Sequence, residues 1–196
     1  MSRTADISRQ TAETQIELTL DLDGAGEGLR RTGVGFFDHL LDAVAAHGGI
    51  DLDVRASGDL ETGPHHTVED TGVTLGQALD AALGDRAGIN RFGQATIPMD
   101  EALASCAVDV SGRPYTAFEA GFPAPRVADF DTDLAEEFVR AVANTAKLTV
   151  HLRIEAGSNA HHMVEAAFKA FARALRQAVD MDPDRPNEIP STKGLL

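Results

Sequence analysis

The stretch HHTVED, His65 to Asp70, returns as HHMVEA, His161 to Ala166, 96 residues later in a chain of 196. A repeat at half the chain length constrains the fold strongly, because each copy must sit in surroundings that suit the other. The surroundings match in kind. DHLLDAVA (Asp38 to Ala45) precedes the first copy and EEFVRAVA (Glu136 to Ala143) the second, and each is followed by an alternating run, IDLDVRA or LTVHLRI. Alternation with period two marks a half-buried strand. After each hexamer comes a longer pattern with helical spacing, TLGQALDAAL in one case and AFKAFARALRQAV in the other. The segments ahead correspond as well. TQIELTLDLDG runs through a glycine-rich turn at Gly24 to Gly28 into GLRRTGV, and LASCAVDVSGRPYTAFEAG turns at Ser111 to Pro114.

Each half therefore reads strand, strand, helix, strand, helix. The expected fold is α+β, an internal duplication of this unit, with helices packed on one face of mainly antiparallel sheets. The first repeat is assigned residues 1–92, the second residues 93–182, and a C-terminal tail residues 183–196, as two pseudo-symmetric halves of one compact chain. DRAGINRFGQ (Asp85 to Gln94) is the junction, and the tail RPNEIPSTKGLL has no periodicity.

Composition narrows the function. The formal net charge is -14, which disfavours nucleic acid or an anionic membrane as a partner, since both are bound mainly through clustered Lys and Arg. A small anionic substrate stays open, because a few local basic residues can reverse the field inside one pocket. The single cysteine, Cys106, allows no intrachain disulfide and fits a reducing compartment. The N-terminal stretch lacks the apolar run of a secretory signal, and no segment reaches the roughly 18 apolar residues needed to span a bilayer. A cytoplasmic protein is expected.

Four of the seven histidines lie in the two hexamers. On a helix His65 and Glu69 are four residues apart and share a face, as do His161 and Glu165, while His66 and His162 are each rotated by about 100°. Catalytic metals are held by converging imidazoles and carboxylates. Two pseudo-symmetric helices can build two such sites crosswise, each taking the His–Glu pair of one repeat and the lone histidine of the other. A further donor occupies matched positions upstream: His39 in the first repeat and Glu137 in the second. Such a ligand set suits manganese, zinc or iron.

These residues, with RQTAETQIEL, GVGFFDHLLDAVAAHGG, HHTVEDTGVTLGQAL, GINRFGQATIPMDEALA, DVSGRPY, SNAHHMVEAAFKAFARALRQAV and PSTKGLL, cover nearly the whole chain. In them the sequence resembles the imidazoleglycerol-phosphate dehydratase family. The resemblance implies a duplicated fold of the ribosomal protein S5 domain 2-like kind, two Mn2+ per active site (other divalent metals being possible), and a homo-oligomer of 24 subunits with interfacial active sites. It implies one metal held by His39, His66, His161 and Glu165, and a second held by His65, Glu69, His162 and the residue at position 137. Many members of the family have histidine there, where this chain has Glu137. Substrate-facing roles fall to Glu13, His39 and His47, and phosphate binding to Arg91, Arg113, Lys169, Ser191, Thr192 and Lys193.

The implied reaction converts imidazole glycerol phosphate to imidazole acetol phosphate and water, in histidine biosynthesis. Its chemistry is demanding, because the proton lost from carbon has no neighbouring carbonyl to stabilise the anion. The imidazole ring must serve instead: ionised beside a Lewis acid, it expels the hydroxyl through a diazafulvene-like intermediate. Glu13, His47 and Glu165 are the candidates to move protons. Two rivals use the same residues. A dinuclear metallohydrolase would release phosphate or split an amide, and a metal-assembled structural oligomer would need no basic residues for phosphate.

Overall fold

The computed structural model describes residues 2–196. The first half runs β1 (Thr4–Gln10), β2 (Thr14–Asp21), β3 (Arg30–Arg31), α1 (Gly35–Gly48), β4 (Asp51–Gly58), a 3-10 turn (Leu60–Thr62) and α2 (His65–Leu83). The second runs β5 (Phe92–Met99), β6 (Ala102–Asp109), β7 (Tyr115–Glu119), a small hairpin of β8 (Arg126–Val127) and β9 (Phe130–Asp131), then α3 (Leu134–Ala146), β10 (Thr149–Ala156) and α4 (Ala160–Val179). The sheets have matching orders, β1-β2-β4-β3 and β5-β6-β10-β7. In each, only the last pair is parallel. The duplicated α+β architecture expected from the sequence is the architecture found.

Each half opens with a strand that the sequence pattern does not disclose. β1 and β5 are edge strands, and only Ala5 of β1 and Gly93 of β5 are fully buried. Their inward positions are therefore small or only half-covered, and the apolar alternation is faint. Pro98 in β5 is tolerable because an edge strand leaves half its N–H groups unpaired. The β8–β9 hairpin is a second departure, since the first half passes from β3 to α1 with no such insertion.

β2 buries Thr14, Ile16, Leu18 and Leu20 and exposes the residues between them; β6 buries Ala102, Ala104, Cys106 and Val108. Leu18 lies opposite Val54 and Cys106 opposite Leu152. The helices cover these apolar faces. α2 lies on β1 and β2, α4 lies on β5 and β6, and across the halves α2 packs on α3 and α1 on α4. All four helices thus occupy the space between two sheets. Phe138 of α3 meets Phe37 of α1 edge-on at 5.4 Å and stacks on Phe168 of α4 at 5.2 Å.

Glycine sets the closeness of α2 and α3. A methyl group at Gly76 would lie 1.9 Å from Thr145 Oγ1 and 2.7 Å from the Val142 carbonyl oxygen. Thr145 cannot turn away freely, since its hydroxyl donates to Val73 O at 3.1 Å and to Ala141 O at 2.9 Å. Alanine would gain about 1 kcal/mol in helix propensity, but overpacking costs about 1–3 kcal/mol. Gly76→Ala is expected to lower the urea midpoint. An unchanged or higher midpoint would show that the helices can separate without cost.

Candidate metal centre and active site

Helix α1 begins without a cap from its own preceding residue. Its first N–H groups are met instead by Asp129, from the β8–β9 turn, whose carboxylate accepts from Gly35 N at 2.6 Å and Phe36 N at 3.0 Å. This anion at a helix N-terminus fixes the turn that carries His39. On α4, Asn159 caps the first turn by accepting from His161 N at 3.0 Å. The two capped turns converge. His39 Nε2 lies 2.5 Å and His161 Nε2 3.0 Å from Glu165 Oε1, and one nitrogen from each ring and one oxygen of Glu165 lie within 4.8 Å of one another. Phe36 stands beside both rings, with centroids 6.0 Å from His39 and 4.9 Å from His161.

The Glu165 side chain is only 6 % exposed. Burial alone would push its pKa up, but hydrogen bonds from Lys169 (Nζ to Oε2, 2.6 Å) and His39 outweigh that and hold it down at about 2. A buried carboxylate that stays anionic, beside two imidazoles, is a donor set suited to a divalent ion of intermediate softness. An open cavity of about 740 Å³, bounded in part by Phe36, Ala128 and Asp129, lies against these three residues.

The other members of the repeated motif stand apart from this cluster. His65 Nε2 is 3.7 Å from Glu69 Oε2, and both side chains are exposed. The His65–His66 and His161–His162 ring pairs have the same geometry, with centroids 5.9 and 6.0 Å apart and both pairs at 88°. His66 Nδ1 contacts the Asp59 carboxylate at 3.0 and 3.1 Å, and its Nε2 faces Glu13 Oε1 at 3.8 Å. His162 Nδ1 contacts Glu101 Oε2 at 2.8 Å. The His66 and His162 pKa values are raised, chiefly by the hydrogen bonds that the rings donate to Asp59 and Glu101 respectively; the His162 bond is the main reason that Glu101 is held down at about 2. Glu137, on the first turn of α3, leans on Arg140 Nη1 at 3.7 Å. His47, in the last turn of α1, is kept below the usual histidine range by burial and by the nearby Lys169 and Arg173, so its imidazole is neutral at pH 7.

The basic residues divide between two places. Lys169, midway along α4, pairs with Glu165 one turn before it. Arg91 lies at the C-terminal end of this helix, where its N–H donates to Ala178 O at 2.8 Å. α4 has 20 residues, a length of roughly 30 Å at the usual helical rise. There Arg91 Nη1 donates to Pro190 O at 2.8 Å, its Nε pairs with Asp109, and its guanidinium lies 4.6 Å from the Phe92 ring centroid. Arg113 Nη1 donates to Ser111 O at 3.1 Å. The end of the chain sits beside it, since a methyl group at Gly112 would meet the Leu196 carbonyl carbon at 2.4 Å. Ser191, Thr192 and Lys193 follow Pro190 in this tail, where Ser191 Oγ accepts from Lys193 N at 3.2 Å. Within one chain, the His39–His161–Glu165 cluster therefore lies towards the start of α4, and Arg91, Arg113 and the tail lie beyond its other end.

Asp59, Glu101 and Asp129 are absent from the residues that the sequence reading singles out. The signal for Glu101 lies in the repeat: the sheet registers equate Cys106 with Leu18, which places Glu101 opposite Glu13, each one residue ahead of an inner strand. Asp59 and Asp129 lie on segments with no counterpart in the other half and carry no such signal.

The family model for imidazoleglycerol-phosphate dehydratase matches residues 32–175. The imidazoleglycerol-phosphate dehydratase of Phenylobacterium zucineum is 55% identical over 196 residues, covering 100% of both chains. That of Symbiobacterium thermophilum is 57% identical over 194 residues, covering 99% of this chain and 93% of its own. Among solved structures, the imidazoleglycerol-phosphate dehydratase of Staphylococcus aureus superposes with a TM-score of 0.83 at 40% identity, over 91% of this chain and 99% of that one. The Pyrococcus furiosus structure gives 0.84 at 37% identity, over 97% and 100%.

Proposed function

The chain belongs to the imidazoleglycerol-phosphate dehydratase family of hydro-lyases, and we propose that it dehydrates imidazole glycerol phosphate to imidazole acetol phosphate in histidine biosynthesis, in a metal-dependent reaction in the cytoplasm. The observation that carries the metal dependence is the convergence of His39, His161 and the buried, anionic Glu165. These three would hold one Mn2+ together with a His66. His65, Glu69, His162 and Glu137 would hold the second. When bound, such ions supply Lewis acidity to an imidazole ring and make its N–H easier to lose.

The remaining work falls to the protein's own groups. The substrate ring, once ionised, expels its hydroxyl to give a diazafulvene-like intermediate, and side chains must carry the protons. Glu13 is an exposed carboxylate 3.8 Å from His66 Nε2, free to accept the carbon-bound proton. His47, neutral at pH 7, can accept a proton from a substrate placed along α1. Lys169 Nζ donates to Glu165 Oε2 at 2.6 Å, on the oxygen that the histidines do not contact.

We infer that the site is completed between copies of the chain. The length of α4 separates its metal cluster from Arg91 and Arg113, so the phosphate of a substrate held at the cluster would meet basic residues of another copy. That separation supports a site shared between copies, and the homo-oligomer of 24 subunits is what the family resemblance implies. The test is to strip the protein of metal, restore Mn2+, add imidazole glycerol phosphate and follow the ketone product. Activity that survives verified metal removal would overturn the metal dependence, and phosphate release without ketone would favour the metallohydrolase.

Phosphate contacts are made in ground and transition states alike, so Arg113→Ala and Lys193→Ala are expected mainly to raise KM. A charge-assisted hydrogen bond is worth about 1.5–3 kcal/mol, roughly a 10–100-fold increase. Steady-state kinetics check this, and unchanged constants in both variants would remove the tail from the site.

A further inference from the structure

We propose that Asp59 and Glu101 are positioning residues that fix the tautomer and orientation of His66 and His162, so that each ring presents Nε2 for ligation. The inference rests on the metal-dependent reading above. Its basis is that both rings are held from the same side by a carboxylate. His66 Nδ1 lies 3.0 and 3.1 Å from the two Asp59 oxygens, and His162 Nδ1 lies 2.8 Å from Glu101 Oε2. A carboxylate only accepts, so each Nδ1 carries a proton, and in the neutral ring that ligates a metal Nε2 then holds the lone pair. The carboxylate also stops the ring from turning over, which would exchange the two nitrogens.

The two halves reach this arrangement with residues that are not equivalent. Glu101 stands at the repeat position of Glu13. In the first half that residue is exposed and lies 3.8 Å from the Nε2 side of His66. In the second half it reaches across to the start of α4, where Oε1 accepts from Ser158 N at 3.1 Å and Asn159 N at 2.8 Å while Oε2 holds His162. The first half assigns the holding role to Asp59. It lies on the longer link between β4 and α2, residues 59–64, where the second half has only residues 157–159. Asp59 also donates its backbone N–H to Glu13 O at 3.1 Å, tying the His66 ring and the Glu13 turn to one residue. At equivalent positions, Glu13 is therefore left exposed while Glu101 holds a histidine ring.

The amide variants separate positioning from structural support. In Asp59→Asn the side-chain oxygen can still accept from His66 Nδ1–H. In Glu101→Gln the single oxygen is claimed by two backbone N–H groups, so the NH2 faces His162 Nδ1. The ring must then accept there and carry its proton on Nε2, the ligating atom. Full-length protein, stripped and titrated with Mn2+ by electron paramagnetic resonance of the free ion, is expected to lose about 10–100-fold in affinity at one class of site in Asp59→Ala, as for other outer partners of metal ligands. Glu101→Gln and Glu101→Ala are expected to lose a similar factor at the other class, and Asp59→Asn to bind like wild type. Crystal structures of the metal-free variants read the ring orientations without any ion. His66 is expected to leave its place in Asp59→Ala and to keep it in Asp59→Asn. Unmoved rings with wild-type affinities in Asp59→Ala and Glu101→Gln would overturn the proposal, as would an Asp59→Asn variant as weak as Asp59→Ala. A wild-type protein that binds no Mn2+ would instead overturn the metal-dependent reading, and the ring orientations would still decide this one.

Discussion

Glu165→Gln is expected to abolish the first metal site and with it nearly all activity. The substitution keeps the shape of the side chain and removes its charge. Glu165 Oε1 is the atom on which His39 and His161 both converge, at 2.5 and 3.0 Å. A glutamine oxygen would be a weaker donor there, and Lys169, 2.6 Å from the other oxygen, would lose its counter-ion. Loss of a direct ligand should exceed the about 10–100-fold cost of losing an outer partner, so kcat/KM and metal occupancy should fall together by more than that. Full Mn2+ occupancy in the variant would remove Glu165 from the ligand set. The acid response gives a second readout. The pKa of Glu165 is lowered from 4.5 to about 2 in the folded chain. A carboxyl group whose folded pKa is depressed contributes stability above its unfolded pKa and loses it as pH falls through the folded value. Between pH 4.5 and about 2 the metal-free wild type should therefore lose stability faster than metal-free Glu165→Gln, as read from their urea midpoints.

The repeat was the most legible feature of the chain because burial and ligation both leave period in a sequence. β2, β4, β6 and β10 alternate clearly since one face of each meets the helices, and the helix starting at His65 follows from the spacing of His65, Glu69 and the apolar residues beyond. β1 and β5 were not legible, because an edge strand buries too little to impose alternation. The holding residues were illegible for a different reason. Asp59 and Asp129 act through the shape of short inserted segments, and Glu101 sits at an equivalent position but in a changed role. The sequence pairs Arg91, Arg113 and Lys169 as one basic group; in the chain Lys169 sits with Glu165 and the arginines lie beyond the far end of α4. Residue type shows what a side chain can bind, whereas the direction of a helix decides which of them meet in the same copy.

Glu137 stands where the resemblance to the family implies histidine, and the repeat gives a definite expectation for it. His39 and Glu137 are equivalent, as are Glu165 and Glu69. Because α1 brings His39 onto Glu165, α3 should bring Glu137 towards Glu69. Two carboxylates repel unless a cation lies between them, and Glu137 leans on Arg140 at 3.7 Å. Ligation then means exchanging a weak, half-exposed ion pair for a divalent ion. Glu137→Ala is expected to weaken one Mn2+ by more than the about 10–100-fold typical of outer partners and to leave the other unchanged. Glu137→His should retain binding, since imidazole is an alternative donor for the same ion. It would also remove one of the two carboxylates at that site and so shift preference from Mn2+ towards Zn2+. Arg140 is shared with Glu136, its partner four residues away on the same helix. Glu136→Ala should therefore do little beyond letting Arg140 compete harder for Glu137, and Arg140→Ala should bind Mn2+ at least as tightly as wild type. Titrations of the four variants against wild type decide the matter. Equal affinities in Glu137→Ala and wild type would leave the second site with His65, Glu69 and His162 alone, and Glu137 as a surface charge paired with Arg140.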